Sequence, residues 1–174
     1  MGLTPPFEWW QLWSCHLTHW GWSHLLLNLL AALPVAILLP RRMFGVAAIG
    51  AVAAAPLLSF AILFSGTPGE YRGASGLVVA LWCFTAIVLL REHRASGVAL
   101  AAAILLKLSL EALGWWPQSS ASFTPLPVAH YAGAVIGTLG GLAAMQSLRR
   151  GSAARTMPLA LFIHHSSENR NGEW

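Results

Sequence analysis

Four polar side chains in this sequence stand where apolar ones would cost least. His24 and Asn28 open one apolar run, Ser75 opens another within Tyr71-Arg72-Gly73-Ala74-Ser75-Gly76, and His130 opens a third. Polar groups inside apolar segments are expensive, and those that persist have a reason to be there. Serine with histidine is a combination from which a nucleophile and its base are built: the imidazole takes the hydroxyl proton and the oxygen attacks a carbonyl carbon. Gly73 permits an unusual backbone angle, and its small neighbours leave room for a carbonyl beside Ser75. His24 and Asn28, one helical turn apart, share a face and can both donate to an oxyanion. No acidic residue is obvious as a third member, so a Ser75–His130 dyad is the simpler expectation.

For such a pair to meet, helices must carry it. Of 174 residues, 56% are hydrophobic and 9% charged, with a mean hydropathy of +0.62, against about 25% charged in an average soluble domain. A soluble globule with so few charges could not cover its surface, and disorder or a collagen-like fibre fails on the same figures. The composition implies an integral membrane protein: an all-α polytopic helical bundle with five spans, near 20–39, 43–64, 73–90, 97–116 and 126–148. Residues 1–150 form the expected membrane domain and 151–174 a polar cytoplasmic tail. In that tail, MPLALFI at 157–163 is too short to span, and His164 and His165 have too few companions for a metal site. The N-terminus lacks a basic region and an apolar core, so no cleavable signal peptide is expected.

Charge placement sets the orientation. Of the ten Lys and Arg residues, eight are Arg41, Arg42, Arg91, Arg94, Arg149, Arg150, Arg155 and Arg170, in short clusters between or after apolar runs. The loops SGTPGEY at 65–71 and WWPQSSASFTPLP at 115–127 hold no basic residue. The positive-inside rule puts the N-terminus outside and the C-terminus in the cytoplasm, and Trp9, Trp10, Trp13, Trp20, Trp22, Trp115 and Trp116 then fall at the outer interface. Spans one, three and five all enter from that side, so His24, Asn28, Ser75 and His130 come to similar depth without any fold being assumed. Gly133, Gly137 and Gly141 follow His130 at four-residue spacing, a stripe that lets a neighbouring helix approach closely. Lys107 and Glu111 sit i,i+4 in the fourth span, which reads most simply as a neutralised packing pair.

Each piece has a plainer reading. Gly-Ala-Ser-Gly recurs as a packing motif, and a lone histidine near an interface is commonly just a polar residue reaching water. Cys15 and Cys83 read as small apolar fillers, not as a disulfide. His16, His19 and His24 have no carboxylate or thiolate nearby in sequence, so no metal is expected. No basic, aromatic-interleaved face exists for nucleic acid. It is the coincidence of Ser75, His130, Asn28 and the glycine stripe at one depth that resists dismissal.

The same residues resemble the rhomboid family. His19, four residues, His24, three residues, Asn28 is similar to its His-x4-His-x3-Asn pattern, Gly73-Ala74-Ser75-Gly76 to its G-x-S-G, and Ala129-His130-Tyr131-Ala132-Gly133 with Gly137 to its catalytic helix. The three occur in family order over about residues 8–146. The resemblance implies an intramembrane serine protease without a cofactor, with Ser75 as nucleophile, His130 as general base, and His24 and Asn28 lining the oxyanion hole. It also implies supporting roles for His19, Gly73, Gly76, Gly133 and Gly137. Glu8-Trp9-Trp10, the compact length and Tyr71 to Gly76 look like the rhombosortase branch. This implies a bacterial inner-membrane enzyme with a periplasm-facing site, cutting C-terminal Gly-Gly anchoring tails of exported membrane-anchored proteins. Such members usually have six spans, and the one expected before Glu8 is absent: either the start is placed too late or this form has five. Two rivals belong to other classes: a rhomboid-like protein that binds membrane clients without cutting them, and a small transporter subunit using Lys107 and Glu111. Oligomeric state is not legible.

Overall fold

The computed structural model describes residues 2–66, 70–115 and 126–155, with side chains to residue 150. Residues 116–125 of the expected loop at 115–127, with Trp116, and the tail from 156 onward, with 157–163, His164 and His165, lie outside the described residues. Met1–Ala143 forms one compact unit; Ala144 begins a second, whose described part is helix.

Six α-helices occur among the described residues: α1 (Gln11–Ser14), α2 (Trp22–Leu38), α3 (Phe44–Phe64, preceded by a 3-10 turn at Arg41–Met43), α4 (Ser75–Glu92), α5 (Arg94–Ala112) and α6 (Pro127–Arg155). The last five match the expected spans to within a few residues at every end but one, α6 running to Arg155, past the expected end at 148 and into the expected tail, and the all-α membrane bundle is what the structure holds. Four of them are long and apolar enough to cross a membrane, and α2 is shorter at 17 residues, about 26 Å of helix. The short α1 was not foreseen.

Apolar runs of this length become helices because lipid offers no partner for backbone N–H and C=O groups, so each segment must satisfy its own. The outward faces are correspondingly greasy: Leu29, Leu30, Leu33 and Ile37 of α2, and Ile49 and Val52 of α3, are exposed. Helix α4 is the most enclosed, with Val78, Val79, Ala80, Cys83, Phe84, Thr85, Ala86, Val88 and Leu89 all buried. It packs against α2, α3 and α5, so the serine-bearing helix is indeed surrounded by the others.

Two prolines lie inside helices, and an indole donates to the backbone near each. Pro56 cannot donate to the Val52 carbonyl, and the Trp13 indole N–H donates to that oxygen instead, at 3.0 Å. Pro34 leaves the Leu30 carbonyl without its intrahelical donor, and one residue on, the Trp82 indole N–H donates to the Ala31 carbonyl at 2.6 Å. Trp13, expected only at the outer interface, is therefore a structural donor. At one end of the bundle Arg42 pairs with Glu92 at 2.5 Å, bringing together two helix ends that the charge pattern assigned to one side. Both cysteines are free and buried.

Candidate active site

The turn before α4 is held from three directions. Gly73 has φ +130°, a conformation that residues with a side chain rarely adopt. Its N–H donates to the Cys15 carbonyl at 3.0 Å, and its own carbonyl accepts the Tyr71 hydroxyl at 2.7 Å. The His24 ring covers its open side: a Cβ on Gly73 would lie 2.6 Å from His24 Cε1 and 2.9 Å from Nε2. Tyr71 is itself buried, which pushes its phenol well above the usual range and keeps it a donor, with the Ser75 hydroxyl as a neighbour. Ser75 then begins α4, whose N-terminus has no side-chain cap, so the first backbone N–H groups keep the partial positive charge of a helix start.

The segment leading into this turn is clamped as well. Leu3 and Tyr71 exchange both backbone hydrogen bonds, at 2.9 and 3.2 Å. Glu70 accepts from the Gly2 N–H at 2.6 Å and from the Arg72 guanidinium at 2.8 Å, and that guanidinium holds the Glu70 carboxyl below the usual carboxylate range. Arg72 also lies over the Trp20 ring, 4.7 Å from its centroid.

Helix α6 meets α4 backbone to backbone. A Cβ on Gly76 would stand 2.9 Å from the Ala129 carbonyl oxygen; one on Gly133 would overlap the Gly76 carbonyl, and one on Gly137 the Ala80 carbonyl. The glycine stripe does what its spacing implied. It seats the first turns of α4 and α6 against each other, so Ser75 and His130 are each the immediate neighbour of a residue in that contact. Both oxyanion candidates are buried on α2. The Asn28 side-chain amide donates one hydrogen to the His24 carbonyl at 2.9 Å, and its second amide hydrogen is additional donor capacity. His19 packs edge-on against His24, with ring centroids 5.1 Å apart.

His130 has partners that sequence reasoning did not give it. Its Nδ1 is 2.8 and 3.0 Å from the two carboxylate oxygens of Glu111, and 2.7 Å from Lys107 Nζ. Lys107 pairs with Glu111 at 2.8 Å, as the i,i+4 spacing suggested, but the pair is not merely packing: it is assembled on the imidazole. The Glu111 side chain is 3% exposed and that of His130 8%. With Nδ1 committed, Nε2 is the nitrogen left to work on a hydroxyl.

A serine–histidine contact elsewhere, between His16 and Ser59, is not a site. His16 Nε2 lies 3.1 Å from Ser59 Oγ and 3.0 Å from the Ala55 carbonyl, and Ser59 donates to the Leu12 carbonyl at 2.8 Å. Both residues are almost wholly buried, at 1% and 0% exposure, so no substrate reaches them. This cluster fastens the segment around α1 to α3. Cys15 belongs to it, its thiol 3.5 Å from Ser59 Oγ, and through its carbonyl it also supports Gly73. No group of three or more metal-ligating side chains occurs among the described residues.

Comparison with known proteins yields one finding. A family model described as the Rhomboid domain matches residues 6–147. No curated protein and no solved structure matches the chain.

Proposed function

Because the chain belongs to the rhomboid family and is a multi-pass membrane protein, we propose that it is an active intramembrane serine protease using Ser75 and His130. The observation that carries this reading is the direct seating of Gly76 on Ala129 and Gly133, which sets the nucleophile-bearing turn against the base-bearing turn. Ser75 Oγ attacks the scissile carbonyl carbon while His130 Nε2 takes the hydroxyl proton. His24 and Asn28, with the first N–H groups of α4, stabilise the oxyanion. Collapse of that intermediate breaks the C–N bond, His130 gives the proton to the departing amine, and water then hydrolyses the acyl-enzyme.

The substrate in this reading is a membrane-anchored exported protein, cut beside small residues such as a Gly-Gly pair in its C-terminal tail, as in the rhombosortase branch. Small residues suit a scissile bond that must reach a serine flanked by glycine and alanine. In this reading the site opens toward the periplasmic side of a bacterial inner membrane, with the C-terminus in the cytoplasm, an orientation supported by the arginine clusters.

The test is fluorophosphonate labelling in detergent, comparing wild type with His130→Ala. Labelling of wild type and its loss in the variant are expected. A folded wild type that takes no label overturns the reading in favour of a non-cleaving client binder. Gly73→Ala separates positioning from folding. The substitution imposes about 1–3 kcal/mol of backbone strain, lowering the melting temperature by several degrees, whereas its displacement of His24 is expected to slow labelling by about 100-fold. Equal small losses in both measurements would remove His24 from the oxyanion site.

A further inference from the structure

We propose that Glu111 is a positioning residue for His130, holding its ring in the Nδ1–H tautomer against competition from Lys107; this rests on the protease reading above. A carboxylate can only accept hydrogen bonds and an ammonium can only donate them. Both reach the same atom: Glu111 Oε1 and Oε2 lie 2.8 and 3.0 Å from His130 Nδ1, and Lys107 Nζ lies 2.7 Å from it. They therefore demand opposite tautomers of one ring.

If Nδ1 carries the proton, it donates to Glu111, and the Nε2 lone pair is free to accept from a serine hydroxyl. If Lys107 donates to Nδ1, the proton sits on Nε2 and the ring cannot act as a base. Glu111 decides the matter in two ways: it presents both oxygens to Nδ1, and its Oε1 takes a hydrogen from Lys107 at 2.8 Å, engaging the competitor. Among the described residues, the charged groups in contact with His130 are these two, both from α5. Near-complete burial of Glu111 keeps water from taking the place of either contact. The Lys107–Glu111 pair is thus part of a three-residue device, with Lys107 partnering the carboxylate that aims the ring.

The test uses the full chain in detergent micelles, with fluorophosphonate labelling of wild type and Ser75→Ala establishing the premise. Glu111→Gln is expected to lower the maximal labelling rate by about 100-fold or more with little change in the probe concentration giving half that rate. Adding Lys107→Met to Glu111→Gln is expected to bring the rate back to within about 10-fold of wild type, because a neutral amide oxygen can still accept from Nδ1–H once the ammonium is gone. Nitrogen-15 shifts of the His130 ring, assigned by their loss in His130→Ala and recorded where the ring is neutral, report the proton on Nδ1 in wild type and on Nε2 in Glu111→Gln.

A folded Glu111→Gln that labels at the wild-type rate overturns the proposal, as does an Nε2–H ring in wild type or a double variant no faster than the single. If Glu111→Gln does not fold, the double variant, with no buried charge left unpaired, and the wild-type ring shifts still decide. Wild type that never labels defeats the protease reading, while the ring shifts continue to report whether Glu111 sets the tautomer.

Discussion

Ser75→Ala is expected to lower cleavage of a reporter bearing a membrane tail with a Gly-Gly pair by roughly 10⁴- to 10⁶-fold, and His130→Ala by a comparable amount. The two losses do not add. A nucleophile without its base, or a base without its nucleophile, has already lost acylation, so the double variant should be no slower than the worse single one. The measurement is a four-way comparison of cleavage rates in reconstituted vesicles, with thermal unfolding of each variant as the control for folding. Ser75 lies at a helix end, so Ser75→Ala should melt close to wild type, whereas His130→Ala takes a buried partner from Glu111 and should melt lower while staying folded. Losses that multiply in the double variant would mean that the two residues act independently, and the pair as a catalytic unit would have to be abandoned.

Gly137→Ala should do the reverse, removing the fold before the chemistry. A Cβ there would stand 2.6 Å from both the Cα and the carbonyl carbon of Ala80 and would overlap its oxygen. The obstacle is backbone, which cannot rotate aside, so α4 and α6 must separate. Overpacking of this kind costs typically about 1–3 kcal/mol, and the upper end is expected here because the whole helix contact is displaced. Gly140→Ala is the matched comparison: its Cβ would find only Phe84 Cδ2, at an ordinary 4.0 Å. Thermal unfolding in detergent should show a drop of many degrees for Gly137→Ala and almost none for Gly140→Ala. Equal behaviour would mean that the α4–α6 contact is looser than its geometry implies.

Much of the architecture was legible because lipid simplifies the physics. A run of twenty apolar residues has one option, so the four long helices and the shorter α2 follow from hydropathy, and their ends from glycines, prolines and charges. Depth was legible too: His24, Ser75 and His130 each open a span entering from the same side, and the contacts of His24 with Gly73, and of Ala129 with Gly76, realise that convergence. What could not be read were contacts between elements distant in sequence. Spacing paired Lys107 with Glu111 along one helix, but nothing in the sequence turns that pair toward α6 and His130. Nor could spacing place the carbonyl of Cys15 on the N–H of Gly73, or fold Leu3 onto Tyr71. Tyr71 carried one available signal, a hydroxyl two residues before Gly73 and four before Ser75. The four residues of α1 were too few to leave any periodicity.

The glycine contact between α4 and α6 also bears on how the site meets its substrate. Ordinary helix pairs are spaced by interlocking side chains, whose rotamers can adjust when something binds. Here the spacing is set by peptide groups in direct touch, and peptide groups have fixed dimensions. The separation of the backbones that carry Ser75 and His130 is therefore a property of the main chain, established at folding and insensitive to what the surrounding side chains do. On the protease reading, such a site would be preorganised: little conformational freedom would remain to be lost when a tail enters, and selection for specificity would be left to act on the residues around the pair without disturbing its geometry.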